Sequence, residues 1–439
     1  MAENPLANSN TSIQIPLMAE NPLLSSSDDL KDTVLDKHLA KLETFLRVFG
    51  FCQDSPFGSI LSWLAFAIFA ILLPLWSIYY AYCSNCEHYQ IRTFELEIFT
   101  SQAVVAAISL LCISHNLRKH GVRNLLFVDR CHGNTAQFRQ QCIQKIKAFY
   151  RSVFTWVIIC FVLKTAREVT RAVYLRDKLW WWPVVILVAS LVSWTYSTIL
   201  FLLGTSLFNL VGNFQVIHFE NYGKLLERDL DLSVYIEEHV RLKYNLSKIS
   251  HRFRVFLLME FLVVTASQFV ALLQTTGNKG IINFINGGDF AVLSIVQLVG
   301  IVLCLTAAAK MSHRAQALGA VASRWHMLVT FSSNDACASG TSTNGGNLEV
   351  PNPMGALSVN YSESDLESSD FVSLPPRLPL TQMTSYHKRQ AFVSYVQSST
   401  GGFTIFGWII DRHLCNTIFF IELSLAFFVL GKTITITTR

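Results

Sequence analysis

Apolar residues in this 439-residue chain gather into long runs and seldom alternate with polar ones. A helix that spans a hydrocarbon core needs about 20 mostly apolar residues. Seven stretches have that character: 57–81, 96–113, 149–163, 179–219, 255–274, 290–309 and 414–431. The third is short, and Arg151 and Lys164 flank it with side chains that can snorkel to an interface. The fourth holds no Asp, Glu, Lys or Arg from 179 to 219. As one helix it would be roughly 60 Å long, about twice the hydrocarbon thickness. A turn near Gly204 or Gly212 would make two crossings of it; we read a single helix that runs on into a cytoplasmic bundle. A shorter periodic segment precedes the first run. Leu35, Leu39, Leu42, Phe45 and Leu46 repeat at helical spacing and predict an amphipathic lead-in helix over 30–49, lying on a membrane surface or packed on the protein.

Composition supports the membrane reading. The chain is 51% hydrophobic and 15% charged, against about 25% charged in soluble domains. A soluble single-core domain, a disordered chain and a secreted disulfide scaffold are excluded, the ten cysteines having no framework spacing. The net charge of +5 is dispersed, which argues against a nucleic-acid partner. With seven spans, 26 of the 35 Lys and Arg residues fall on the N-terminal side of the membrane and 9 on the other. That bias predicts N-in, C-out. The segment 164–178 is the exception, placing five cations outside. The first 50 residues lack an apolar signal core, so no cleaved leader is expected.

The expected organisation is an all-α polytopic protein in four parts. Residues 1–29 are a polar tail. Residues 30–330 hold the lead-in helix and six spans with cytoplasmic extensions. Residues 331–381 form an insert rich in Ser, Asn, Gly and Pro that cannot bury enough apolar surface to fold. Residues 382–439 carry one more cytoplasmic helix and the seventh span.

No P-loop, HExxH, GxSxG or GxGxxG motif is present. His115 and His120 are five apart, off the spacing that puts two ligands on one helical face. Cys83 and Cys86 form a lone CxxC, read as a local disulfide or idle thiols. No enzyme activity, metal or cofactor is expected. The informative groups are polar residues at membrane depth, which are costly there. Glu422 sits mid-way along the last run, and Glu260 lies in the fifth, where a packing role is favoured. Ser101, Gln102, Trp181, Trp182, Thr265, Gln268, Ser294 and Gln297 fall in the same halves of their runs. They form a pocket for a small ligand, or they bond helix to helix.

The seven runs, the overlong fourth and the segment GGFTIFGWIIDRHLCNTIFFIELSLAFFVLGKT at 401–433 resemble the plant gustatory-receptor-like proteins, distant relatives of insect odorant and gustatory receptors. The resemblance implies a homotetrameric, ligand-gated cation channel, with the bilayer and a small molecule as partners; with no convincing retention or lipidation motif, the plasma membrane is the default location. It implies that 386–399 is an anchor helix and 414–431 a pore helix. Thr417, Ile418, Glu422, Leu425 and Val429 are then the pore-lining residues. In the register of the insect motif Thr417 matches, the following Tyr, Gln and Phe do not, and Glu422 interrupts the apolar stretch. Two alternatives stay open. One is a proton- or ion-coupled transporter with Glu422 as relay. The other is a non-conducting scaffold or sensor acting through the insert.

Overall fold

The computed structural model describes residues 22–53, 55–81, 92–127, 136–174, 182–226, 231–277, 284–338, 385–399 and 401–437. Its elements are α1 (Pro22–Val48), α2 (Pro56–Phe66), a π-helical turn (Ala67–Leu72), α3 (Leu73–Ala81), α4 (Arg92–Leu125), α5 (Ala136–Tyr174), α6 (Trp182–Leu226), α7 (Leu232–Gly277), α8 (Phe284–Ala338) and α9 (Ser385–Ser398). A two-residue-stranded hairpin, β1 (Thr404–Ile405) and β2 (Trp408–Ile409), leads into α10 (Arg412–Thr437). The protein is thus an all-α, multi-pass membrane protein. Among the described residues, six stretches are long and apolar enough to cross a bilayer: Pro56–Tyr80, Glu95–Leu125, Gln137–Thr170, Val184–Leu226, Leu232–Gln274 and Gly288–Thr330.

Helix α6 runs unbroken through 45 residues, so residues 182–226 contain no turn. At 1.5 Å per residue it is about 68 Å long. Leu200, Phe201, Leu202 and Leu203, four successive residues that together point to all sides, are buried, as are Leu207 and Phe208, the pattern of a helix enclosed by others. It packs against α8, α5 and α4. Gly300 of α8 permits the closest of these approaches: a Cβ there would lie 2.1 Å from Phe201 Cζ. Helices α7 (46 residues) and α8 (55 residues) also run well beyond a bilayer.

Outward faces are apolar where a bilayer would touch them. Phe57, Ile60 and Leu61 of α2, Phe154 and Val162 of α5, and Leu262, Phe269 and Leu273 of α7 are all exposed. The first span contains a local adjustment. Pro74 has no N–H to donate and its ring crowds the preceding turn. The π turn just before it widens the helix, with the Leu73 N–H bonding back to the Ile68 carbonyl.

Several boundaries differ from the sequence reading. Helix α1 begins at Pro22, inside the stretch read as tail, and it is a packed helix: Leu35, Leu39, Leu42 and Leu46 are buried and Phe45 meets the Tyr150 ring of α5 at 5.3 Å. Helix α5 continues to Tyr174, so Lys164 and Arg167 lie on a helix and not in a loop. Helix α8 continues to Ala338, into the first residues of the insert. The rest of the insert, the CxxC pair and residues 1–21 lie outside the described residues.

The hairpin joins α9 to α10 between the long helices. Phe406 and Gly407 both have positive φ, 47° and 86°, which a two-residue turn of this hand requires and which suits Gly at the second position. The Phe403 and Thr404 N–H groups donate to Ser312 Oγ (3.0 Å) and Ser250 Oγ (3.1 Å). These bonds fix where α10 starts.

Candidate functional site

Polar groups at membrane depth fall into three sets. The first is a neutral seam between α4, α7 and α8. Gln297 is its hub. Its Nε2 donates to Ser101 Oγ (3.0 Å), and its Oε1 accepts from Ser267 (2.8 Å) and Gln268 (3.1 Å). Ser294 in turn donates to Gln268 Oε1 (2.9 Å). Gln102 turns the other way and donates to Thr198 Oγ1 (2.6 Å) and the Trp194 carbonyl (3.3 Å) of α6. Four of the expected ligand-pocket residues, Ser101, Gln268, Ser294 and Gln297, therefore meet, but they spend their donors and acceptors on each other. Gln102 and Thr265 do not join them. Trp181 and the Trp182 side chain lie outside the described residues.

The second set is two carboxylates, each met by a hydroxyl. Ser109 of α4 donates to Glu260 Oε1 (2.7 Å), while Glu260 Oε2 has no partner among the described residues. Thr265 of α7 bonds Glu422 Oε1 of α10 and also reaches the Phe261 carbonyl (2.8 Å). Glu422 is only 3% exposed. Its face of α10, with Cys415, Ile418 and Ala426, packs on the protein's own core. Thr417, Phe420, Ile421, Ser424, Phe427 and Phe428 make up the exposed face of α10. A groove of about 720 Å³ separates that face from α7, bounded by Leu272, Thr276, Thr417, Ser424, Leu425 and Phe428. Of the expected pore-lining residues, Thr417 and Leu425 border this groove, Ile418 and Glu422 do not, and the Val429 side chain lies outside the described residues.

The third set was not anticipated. Lys164, Arg167 and Glu168 of α5 and Asp289 of α8 form a closed square of alternating charge. Lys164 Nζ lies 2.6 Å from Asp289 Oδ1 and 2.8 Å from Glu168 Oε1. Arg167 Nη1 lies 2.8 Å from Glu168 Oε1 and 2.8 Å from Asp289 Oδ2. All four side chains are at most 7% exposed. Each charge is compensated twice, the condition under which buried ions are tolerated. A cavity of about 70 Å³ opens beside the square. Lys164, Glu168 and Asp289 line it, with Glu95 and Gln102 of α4, Ser77 of α3 and Ser193 and Ser197 of α6. One signal for this corner was available: 164, 167 and 168 share a helical face by i, i+3 and i+4 spacing. It was hidden because the helix was ended at 163.

Among the described residues no three His, Cys, Asp or Glu side chains converge as a metal site would require. Fold and polar core together define a multi-pass helical membrane protein with a charged, partly hollow corner. A family model described as protein of unknown function, DUF3537, matches residues 37–421. The chain belongs to that family. No curated protein matches it.

Proposed function

We propose that the protein is a ligand-gated cation channel of chemoreceptor type, with seven spans, N-in and C-out, assembled as a homotetramer in the plasma membrane. The observation that carries this reading is the split character of α10. One face is anchored on α7 and α8, while the other presents Thr417, Ile421, Ser424 and Phe428 to an open groove beside Leu272 and Thr276 of α7. Such a face, repeated about a central axis, makes a hydroxyl-dotted apolar pore. Thr417 and Ser424 return their hydroxyls to their own helix at the His413 and Phe420 carbonyls (3.0 and 2.6 Å), leaving oxygen lone pairs for a passing cation. The extensions of α6, α7 and α8 with α9 supply the anchor that the gustatory-receptor-like resemblance implies. In this reading the ligand enters the cavity beside the charged square, since the seam residues bond mainly to one another.

A second reading, ion-coupled transport, has its own support. Glu260 and Glu422 sit inside one protomer, where a carrier would keep its coupling groups. Single-particle imaging of the purified protein in nanodiscs separates the two. The channel reading expects a four-fold particle with the Thr417–Ser424 faces around the axis, and a Ser424→Trp variant that assembles but passes no cation current. A monomer, or a two-fold dimer without a central path, overturns it.

A further inference from the structure

The hairpin between α9 and α10 points along the membrane spans and ends in bare aromatic surface. Its neighbours on α7 and α8 set its direction. The Thr404 N–H donates to Ser250 Oγ (3.1 Å) of α7, and two residues on, the Phe406 ring lies 5.0 Å from the Arg254 guanidinium. From Ser250 to Arg254 is about one helical turn, or roughly 6 Å, toward the apolar run 255–274. On α8 the Phe403 N–H meets Ser312 Oγ (3.0 Å), while Cys415 Sγ, in the first turn of α10, meets the Leu305 carbonyl (3.6 Å) inside the apolar run 290–309. Hairpin tip and α10 therefore head the same way, and the tip stands at the level where the α7 run begins.

At that level the tip is open. Phe406, Trp408 and Ile409 are 55%, 79% and 46% exposed. Arg254 shares its helical face with Leu258 and Leu262 by i, i+4 spacing, and both leucines are exposed, as on a face that a bilayer touches. Phe406 holds φ at 47°, at a turn position where Asn or Gly is usual. A bulky ring is kept there against backbone strain, which persists where contact requires it.

We propose that the hairpin is a membrane-interface anchor. Phe406, Trp408 and Ile409 lie at the boundary of headgroups and acyl chains, and Arg412 holds the phosphate of a phospholipid. The reading rests on the spans of α7 and α8 and not on conduction. An indole suits that boundary, having an apolar body and one N–H for the wet side. A guanidinium fork matches phosphate oxygens. Arg412 is exposed, and Asp411 beside it is turned to its own helix, where it accepts from the Leu414 N–H (2.8 Å). A second copy of this chain suits the tip less well, since a two-fold contact of tip on tip would set arginine against arginine.

The test is quenching of Trp408 fluorescence in the full-length protein in maltoside micelles, titrated with phosphatidylglycerol brominated near the top of its acyl chains. The emission of Trp408 is read as the difference from the same chain carrying Trp408→Phe, a change at an exposed ring that leaves the fold intact. The expected result is saturable quenching, with the half-point displaced by about fivefold in Arg412→Gln, the effect of one arginine at a lipid surface. Trp408 emission that bromine does not reach but aqueous iodide does places the tip in water and overturns the proposal. Emission that neither reaches means that a second copy covers the tip, and also overturns it. An unchanged half-point in Arg412→Gln overturns the assignment of that residue to the phosphate.

Discussion

The charged corner and the neutral seam lie side by side on α8, a few turns apart, and they handle buried polarity in opposite ways. In the seam, amides and hydroxyls from three helices close on Gln297. In the corner, four full charges close on each other, and Ser77, Ser193 and Ser197 line a cavity beside them. A neutral network is inexpensive to complete, so it serves as packing between helices. A charged one is expensive to break, because losing one partner leaves an uncompensated buried charge. Buried polarity at membrane depth is therefore two different signals, separated by whether the groups carry charge.

The largest expected effect comes from opening the square. Asp289→Ala leaves Lys164 and Arg167 facing Glu168 alone, which amounts to an uncompensated buried charge. We expect a loss of about 3–5 kcal/mol of stability, seen as a collapse of Tm or of the yield of monodisperse protein. Lys164→Met added to Asp289→Ala restores charge balance and should recover a substantial part. If the double variant is no better than the single, the square is not held by charge compensation. Opening the seam is expected to cost less. Gln297→Leu strands Ser101, Ser267 and Gln268, at about 1–2 kcal/mol, because each buried group loses one partner and interhelical bonds in membranes are individually weak. A Gln297→Leu loss equal to that of Asp289→Ala would erase the distinction between the two regions.

The two regions also differ in how far the sequence revealed them. The seam was legible because Ser101, Gln268, Ser294 and Gln297 interrupt apolar runs, and such interruptions stand out in a one-dimensional pattern. The single long helix was legible because no charge divides 179–219, although Gly204 and Gly212 left a turn possible. The corner was not, since Lys164, Arg167, Glu168 and Asp289 sit at the ends of runs, where charges are ordinarily solvated. Only the continuation of α5 to Tyr174 carries its three residues into contact with α8. Glu422 stood out in the sequence as a carboxylate in an apolar run, yet periodicity fixes which residues share a face and not what that face meets. The partner, Thr265, is 157 residues away.

Glu422 is the intermediate case, and its substitution sharpens the comparison. Its carboxylate is buried like the corner's but bonded to a hydroxyl like the seam's. Glu422→Gln keeps an oxygen to accept from Thr265 and fills the same volume. We expect a change in stability under about 1 kcal/mol and, in a conducting protein, unaltered cation selectivity, whereas Ser424→Ala on the outward face alters it. A selectivity change in Glu422→Gln with none in Ser424→Ala would exchange the roles of the two α10 faces.

The smallest effect tests a third arrangement of charge, one with no compensation. His38 of α1 lies partly buried among Lys147 of α5 and Lys41 and Lys37 of its own helix. Burial first, and then these three ammonium groups, hold its imidazole below the ordinary value of 6.5. The folded chain therefore takes up this proton at lower pH than the unfolded chain. The stability it contributes is complete above the unfolded value and is lost as pH falls through the lowered folded one. Between about pH 7.5 and about pH 5.5, wild type should lose slightly more thermal stability than His38→Gln. The lysine part of that difference should shrink in about 1 M salt, where the screening length falls to about 3 Å. The square should show no such salt dependence, because its ions are out of reach of the solvent. Equal salt sensitivity in both places would mean that the corner is hydrated in solution and that its charges are screened like those on α1.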